Sequence, residues 1–266
     1  MGKSLLKGSL TPLFMSLALS VFACSPLSAQ SQSNDNKFLD DTRNSYSMLR
    51  RQGLVELQAS VSPNWEPLLA NLEPKRKPAA LKLARRLRFS ITANAAGNLQ
   101  VSHTILGPKP NKATADALDT MAKGVELSVT GFLMSWAPFM LTHLIPEKLD
   151  HFVLQDRDAE RVLTFKEGPV DVTVTITKDF EIRELRTLQG TLKPILKRTV
   201  NGFVLTGYEA NNDDPYVGHI ELKATVDAVE TEGLLLPKTV LLKGSAVQTP
   251  INFELHFTNY RLKRRV

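Results

Sequence analysis

Cysteine is almost missing from this 266-residue sequence: Cys24 stands alone. A chain with one thiol forms no internal disulfide and no multi-thiolate metal site, so its core is held by packing. Catalytic signatures are missing as well. No nucleophile elbow, His-Glu-x-x-His helix or Gly-rich phosphate loop occurs, and the scattered Ser, His and Asp residues define no ordered constellation. The reading is a non-catalytic chain with no cofactor. Nucleic-acid motifs are absent too, and a formal charge of +6 is too weak to argue for such a partner by itself. It is compatible with anionic lipid headgroups.

What is present begins with an export signal. Lys3 and Lys7 precede an apolar run from Leu13 to Ala23, too short to span a bilayer. Two endings fit. Leu27-Ser28-Ala29 before Gln30 suits ordinary cleavage, whereas Val21-Phe22-Ala23-Cys24 has the form of a lipobox whose cysteine would be acylated, with bulky Phe22 and nearby Pro26 against it. The expected location is the periplasm, or the outer membrane if Cys24 carries lipid. Residues 1–29 leave as the signal peptide and take Lys3 and Lys7 with them, so the charge falls from +6 to +4. Residues 30–37 are polar and read as a flexible tether, and 38–266 as one domain.

Hydrophobic spacing then gives the elements. Phe38 to Gln52 reads as a helix with Asp40 and Asp41 early, Arg50 and Arg51 late and Gly53 as its stop; Leu39, Thr42, Tyr46 and Leu49 share a face. Val55, Leu57, Ala59 and Val61 alternate with polar residues, as a half-buried strand requires, and Pro63 ends it. A short helix from Pro78 to about Arg86 leads into a hairpin in which Leu87 to Ala93 pairs with Leu99 to Ile105 around Ala96-Gly97-Asn98. From Ala113 to Ile145 the spacing of Leu118, Met121, Val125, Val129, Phe132, Leu133, Trp136 and Met140 is helical, with Pro138 expected to kink it. After His151 the pattern is strand upon strand, with Asn201-Gly202 as a tight turn and Glu209 to Pro215 as a polar loop. About a dozen strands with short connections predict an α+β fold: a large, curved, antiparallel, unclosed half-barrel sheet, with three helices covering or plugging its concave face.

The closing strands carry a resemblance. Asp227-Ala228-Val229-Glu230, Gly233-Leu234-Leu235-Leu236-Pro237-Lys238, Val240-Leu241-Leu242 and Phe253-Glu254-Leu255-His256-Phe257-Thr258-Asn259-Tyr260 are similar to the last strands of the outer-membrane lipoprotein-sorting superfamily of the LolA and LolB type. The Val170 to Leu188 hairpin and the opening helix followed by the Val55 to Val61 strand match the order of elements in that family. The resemblance implies an open barrel with helices plugging its mouth and a hydrophobic cavity for acyl chains. The chain departs from the family in its length and in the long apolar helix at 113–145, and no motif carries a functional residue across.

Candidate residues follow. Leu127 to Pro146 holds no Asp, Glu, Lys or Arg, long enough for a membrane span, yet Pro138, His143 and the flanking strand patterns favour a helix buried in protein. If that helix fills a half-barrel, Phe132, Trp136, Phe139 and Met140 from the helix, with Phe253 and Phe257 from the last strand, line a ligand cavity or form ordinary core. Lys82, Arg85 and Arg86 belong to a basic run without acids, either a membrane-surface contact or the solvated face of a helix packed on the sheet. His143, Glu147 and His151 have metal-ligand spacing on an unbroken helix, but Pro146 interrupts it, so no metal is expected. His103 reads as a satisfied core histidine. The expected partner is a lipid or an acylated protein, with an anionic membrane surface as a further contact; the alternative is an envelope sensor or adaptor that binds a protein.

Overall fold

The computed structural model describes residues 29–149, 151–214, 218–247 and 249–265. The signal-peptide reading and Cys24 fall outside them, apart from Ala29. Twelve strands form one antiparallel sheet. They are β1 (Leu54–Pro63), β2 (Leu87–Asn94), β3 (Leu99–Ile105), β4 (Phe152–Arg157), β5 (Glu160–Glu167), β6 (Val170–Thr177), β7 (Ile182–Thr187), β8 (Gly190–Thr199), β9 (Gly202–Asp214), β10 (Gly218–Thr231), β11 (Leu234–Ala246) and β12 (Thr249–Arg264). Their order across the sheet is β3-β2-β1-β12-β11-β10-β9-β8-β7-β6-β5-β4. β4 through β12 is a meander of hairpins, and pairing of β12 with β1 joins it to the N-terminal strands. The sheet is not closed into a barrel, and β3 and β4 are its edges.

The described residues also form four helices: α1 (Ala29–Asn44), α2 (Trp65–Leu68), α3 (Lys77–Ala84) and α4 (Lys112–Met140). Asn111 starts α4 by accepting a bond from the Thr114 amide at 2.9 Å, the standard satisfaction of a free N-terminal donor. The 29 residues of α4 extend about 43 Å. Pro138 sits in its last turn, where few further amide bonds are lost. No helix among the described residues is long and apolar enough to cross a membrane.

The curl of the sheet follows from what α4 touches. Glu126 meets His103 on β3, Phe132 packs on Phe257 of β12, and Ser135 lies beside Tyr208 of β9. Nine residues separate Glu126 from Ser135, about 14 Å along a helix. In a flat sheet β3 and β9, six places apart, would lie about 29 Å from each other. One helix reaches both because the sheet wraps around it. The alternation set this up: Leu57, Ala59 and Val61 of β1, Leu87, Phe89, Ile91 and Ala93 of β2, and Phe253, Leu255 and Phe257 of β12 are all buried on the inner face.

Four expectations need correction. Residues 30–37 are helical rather than a tether, because α1 is docked: Asp35 pairs with Arg161 at 2.9 Å, and Phe38 lies 5.4 Å from Phe180 with the Arg161 guanidinium over its ring. The helix expected over 38–52 ends at Asn44. Leu39, Thr42, Tyr46 and Leu49 are all buried as anticipated, but the Ser47 amide donates to the Phe203 carbonyl at 2.9 Å and the Phe203 amide to the Ser45 carbonyl at 2.7 Å. Strand-like bonding to β9 thus takes the chain out of the helix. The short α2 brings the helices to four rather than three. Glu209 to Asp214, expected as a loop, continues β9, since Glu209, Ala210 and Asn211 pair across to both β8 and β10.

Gly202 makes the contact with Ser45 possible. Its φ is +110°, and a Cβ there would stand 2.4 Å from the Ser45 carbonyl oxygen. Gly202→Ala should therefore cost about 1–3 kcal/mol through crowding and backbone strain, read as a lower urea midpoint at unchanged denaturant slope.

Candidate functional site

The inner face of the sheet is where a guest would sit, and α4 occupies it. Leu118, Ala122, Val125, Val129, Phe132, Leu133, Trp136, Ala137, Phe139 and Met140 are buried along α4, at the three- and four-residue spacing that puts them on one side of a helix. Of the six expected cavity residues, the structure stacks Phe132 against Trp136 at 6.4 Å and sets it 5.8 Å from Phe257. Phe139 lies 6.3 Å from Tyr46. Met140 is fixed by its backbone, its carbonyl accepting from the Leu49 amide at 2.8 Å. Phe253 shares the buried inner face with Phe257 but stands further along β12, opposite Leu242. All six are packed core side chains here.

Among the described residues the inner face is packed with buried side chains. The void between α1 and the end of α4, bounded by Tyr46, Met48, Phe139 and Ile145, measures about 10 Å³, room for one water molecule at most. Larger hollows include open depressions on the outer face of the sheet. One of about 520 Å³ is lined by Gln58, Ser60, Ser90, Thr92 and Asn259, and another of about 380 Å³ by Lys193, Glu209, Glu221, Lys223 and Lys243. The polar walls of the first do not suit an acyl chain, and the second sets Ala210 and Leu222 among charged side chains on an open surface.

Polar ties hold α4 in place, and sequence spacing announces none of them. His103 Nδ1 pairs with Glu126 Oε1 at 2.8 Å, both side chains about a quarter exposed, joining edge strand β3 to the helix. Tyr208 of β9 lies beside Ser135, and burial raises its pKa above the ordinary phenol value. Beyond the helix, the connector 141–149 is strapped to α1 and the segment after it. Arg43 donates to the Ile145 carbonyl at 3.2 Å and to that of Pro146, and Arg50 pairs with Glu147.

His143 lies within this strap and 3.5 Å from Glu147. Since α4 ends at Met140, the expected His143, Glu147 and His151 spacing is on no helix, and the described residues hold no group of metal ligands. Burial, followed by the charges of Arg51 and Arg50, lowers the His143 pKa to about 4. Arg50 holds the Glu147 carboxyl below its usual value. A folded histidine pKa below the unfolded value of about 6.5 means that the unfolded chain binds the extra proton first. The contribution is intact above pH 6.5 and lost as pH falls toward 4; that of Glu147 goes in the same direction at still lower pH. Urea midpoints should decline between pH 7 and pH 4, and His143→Gln should flatten the part of that decline above pH 5.

The basic residues Lys82 and Arg85 are exposed, whereas Arg86 is half-buried and donates to the carbonyls of Leu106 and Pro108. Searches against protein-family models, curated proteins and solved structures gave no match.

Proposed function

We propose that this chain is an exported, non-catalytic binding protein for acyl chains, carried by lipids or by acylated proteins, in which α4 fills the binding face until a guest takes its place. One observation carries the reading: the apolar inner face of a half-barrel is covered largely by one helix, α4, which is seated by apolar packing and has few polar ties to the sheet. Apolar burial is non-directional, so a row of methylenes satisfies that face as well as a row of side chains does.

The magnitudes permit an exchange. The C-terminal half of α4 buries Phe132, Leu133, Trp136, Phe139 and Met140, worth roughly 8–15 kcal/mol at about 1.5–3 kcal/mol each. A sixteen-carbon chain brings about 13 kcal/mol at about 0.8 kcal/mol per methylene. Partial displacement of α4 by a guest is close to balance, whereas opening to water is prohibitive. The closed, filled interior is the unliganded form in this account. Native mass spectrometry of protein isolated from its own envelope tests it. A bound lipid or acylated peptide is expected; empty protein that also fails to take up a fluorescent fatty acid overturns it.

A second reading, an adaptor for a protein partner, is favoured by the outer side of α4. Leu127 and Met134 are 53% and 56% exposed one heptad apart, with Gly124 and Gly131 exposed beside them. Stoichiometric partner capture by lipid-free protein, lost in Leu127→Ser with Met134→Ser, selects this reading over the first.

A further inference from the structure

From Lys75 to Ala115 the chain contains nine cations and no acid, and the fold gathers them at one corner. Lys75, Arg76 and Lys77 open α3; Lys82, Arg85, Arg86 and Arg88 follow through its end into β2; Lys109 and Lys112 lead into α4. Register makes the corner: Leu87 at the start of β2 pairs with Ile105 at the end of β3, so both segments leave the same end of the sheet. The Leu106 amide donates to the Arg86 carbonyl at 2.8 Å, and Arg86 Nε donates back to the Leu106 carbonyl at 2.7 Å.

Neutralisation is limited. Glu73 pairs with Arg76 and Glu66 with Lys77. Lys75, Lys82, Arg85, Lys109 and Lys112 are exposed and have no carboxylate within 4 Å among the described residues. On the same two segments Leu72 and Leu106 are 38% and 46% exposed. Exposed apolar side chains on segments rich in unpaired cations fit a surface with an anionic layer over an apolar one. A nucleic acid fits less well, because the sole aromatic from Lys75 to Lys112 is Phe89, buried in the sheet and unavailable for base stacking.

We infer that this corner docks the protein onto an anionic lipid bilayer, with Lys82 and Arg85 of α3 and Lys109 and Lys112 of the β3–α4 loop contacting headgroups and Leu72 and Leu106 entering between them. Docking does not depend on the interior accepting a guest. It would place the start of α4 at the membrane, where a guest would be collected or delivered.

The test is co-sedimentation of the full chain with vesicles of phosphatidylcholine alone or mixed three to one with phosphatidylglycerol. Binding should require the anionic lipid and weaken with salt. At about fivefold per removed charge, Lys82→Ser with Arg85→Ser should weaken partitioning about 30-fold. Lys109→Ser with Lys112→Ser, on a separate segment, should do the same. Both variants should retain wild-type circular dichroism and fatty-acid uptake in solution. Equal binding to both vesicle types, undiminished binding by both variants, or equally strong retention by a single-stranded oligonucleotide would overturn the inference. Loss of vesicle binding with intact uptake supports docking and leaves the acyl-chain reading untouched; failed uptake with intact, charge-dependent docking sinks the acyl-chain reading alone.

Discussion

Trp136→Ala should lower folding stability by about 3–5 kcal/mol, the range for emptying a fully packed aromatic site. Trp136 is 2% exposed and stacks on Phe132, which in turn packs on Phe257 of β12. Truncation therefore removes both its own transfer energy and the contacts of its neighbours, and the surrounding strands cannot collapse inward without breaking their ladders. The urea midpoint reports the loss. The acyl-chain account adds a second expected outcome: a fatty acid that fills the vacancy should stabilise the variant more than the wild-type protein, because ligand and helix then share the face without competing for all of it. A loss below about 1 kcal/mol would mean that the helix is loosely seated.

Glu126→Ala should tighten acyl-chain binding about tenfold while lowering the stability of the unliganded protein. The bond of Glu126 to His103 ties α4 to edge strand β3. Both groups are partly exposed, so once the helix moves aside each is hydrated, and the substitution penalises the closed form alone. Charge-assisted hydrogen bonds of this kind contribute about 1.5 kcal/mol at the low end. Weakening a closed state that competes with a guest raises apparent affinity by the corresponding factor. Opposite signs in affinity and stability are the signature, because damage to a rigid, preformed pocket would lower both. Titration with a fluorescent fatty acid measures the first and urea unfolding the second.

The strands were legible because a sheet covered on one face writes its burial every second residue. The β2–β3 hairpin, β6 and the alternating runs of β10 and β12 fall where Leu87 to Ile105, Val170 to Ile176, Ile220 to Ala228 and Ile251 to Phe257 place them. The long helix was legible from the spacing of Leu118 through Met140. Strand order was not, since the pairing of β1 with β12 joins residues about 200 positions apart through backbone bonds that carry no residue-type signal. For the same reason α1 was misplaced: the turn that removes Ser45 from the helix is imposed by Phe203 and Gly202, and the Asx-rich end of β9 is held extended by strands on both sides.

The candidate site divides likewise. Its apolar members could be named from helical spacing and strand alternation, and all six belong to one buried apolar cluster. The ties at His103 and Arg43 could not. Each joins segments whose proximity is decided by the curl of the sheet, and the signal available beforehand was limited to a lone histidine on the apolar side of β3. Sequence also left open whether the aromatic side chains line a space or fill it. In the unliganded protein they fill it, and this converts the question of a cavity into one of exchange between α4 and a guest.

That exchange can be observed as a distance. Spin labels at Leu127→Cys on the exposed side of α4 and at Thr225→Cys on the outer face of β10, in a Cys24→Ser background, give one separation in the lipid-free protein by pulsed electron resonance. With a saturating lipid bearing sixteen-carbon chains, the account predicts a second, longer separation whose population grows with bound lipid. Bound lipid with an unchanged distance distribution, or no lipid bound at any concentration, would contradict it.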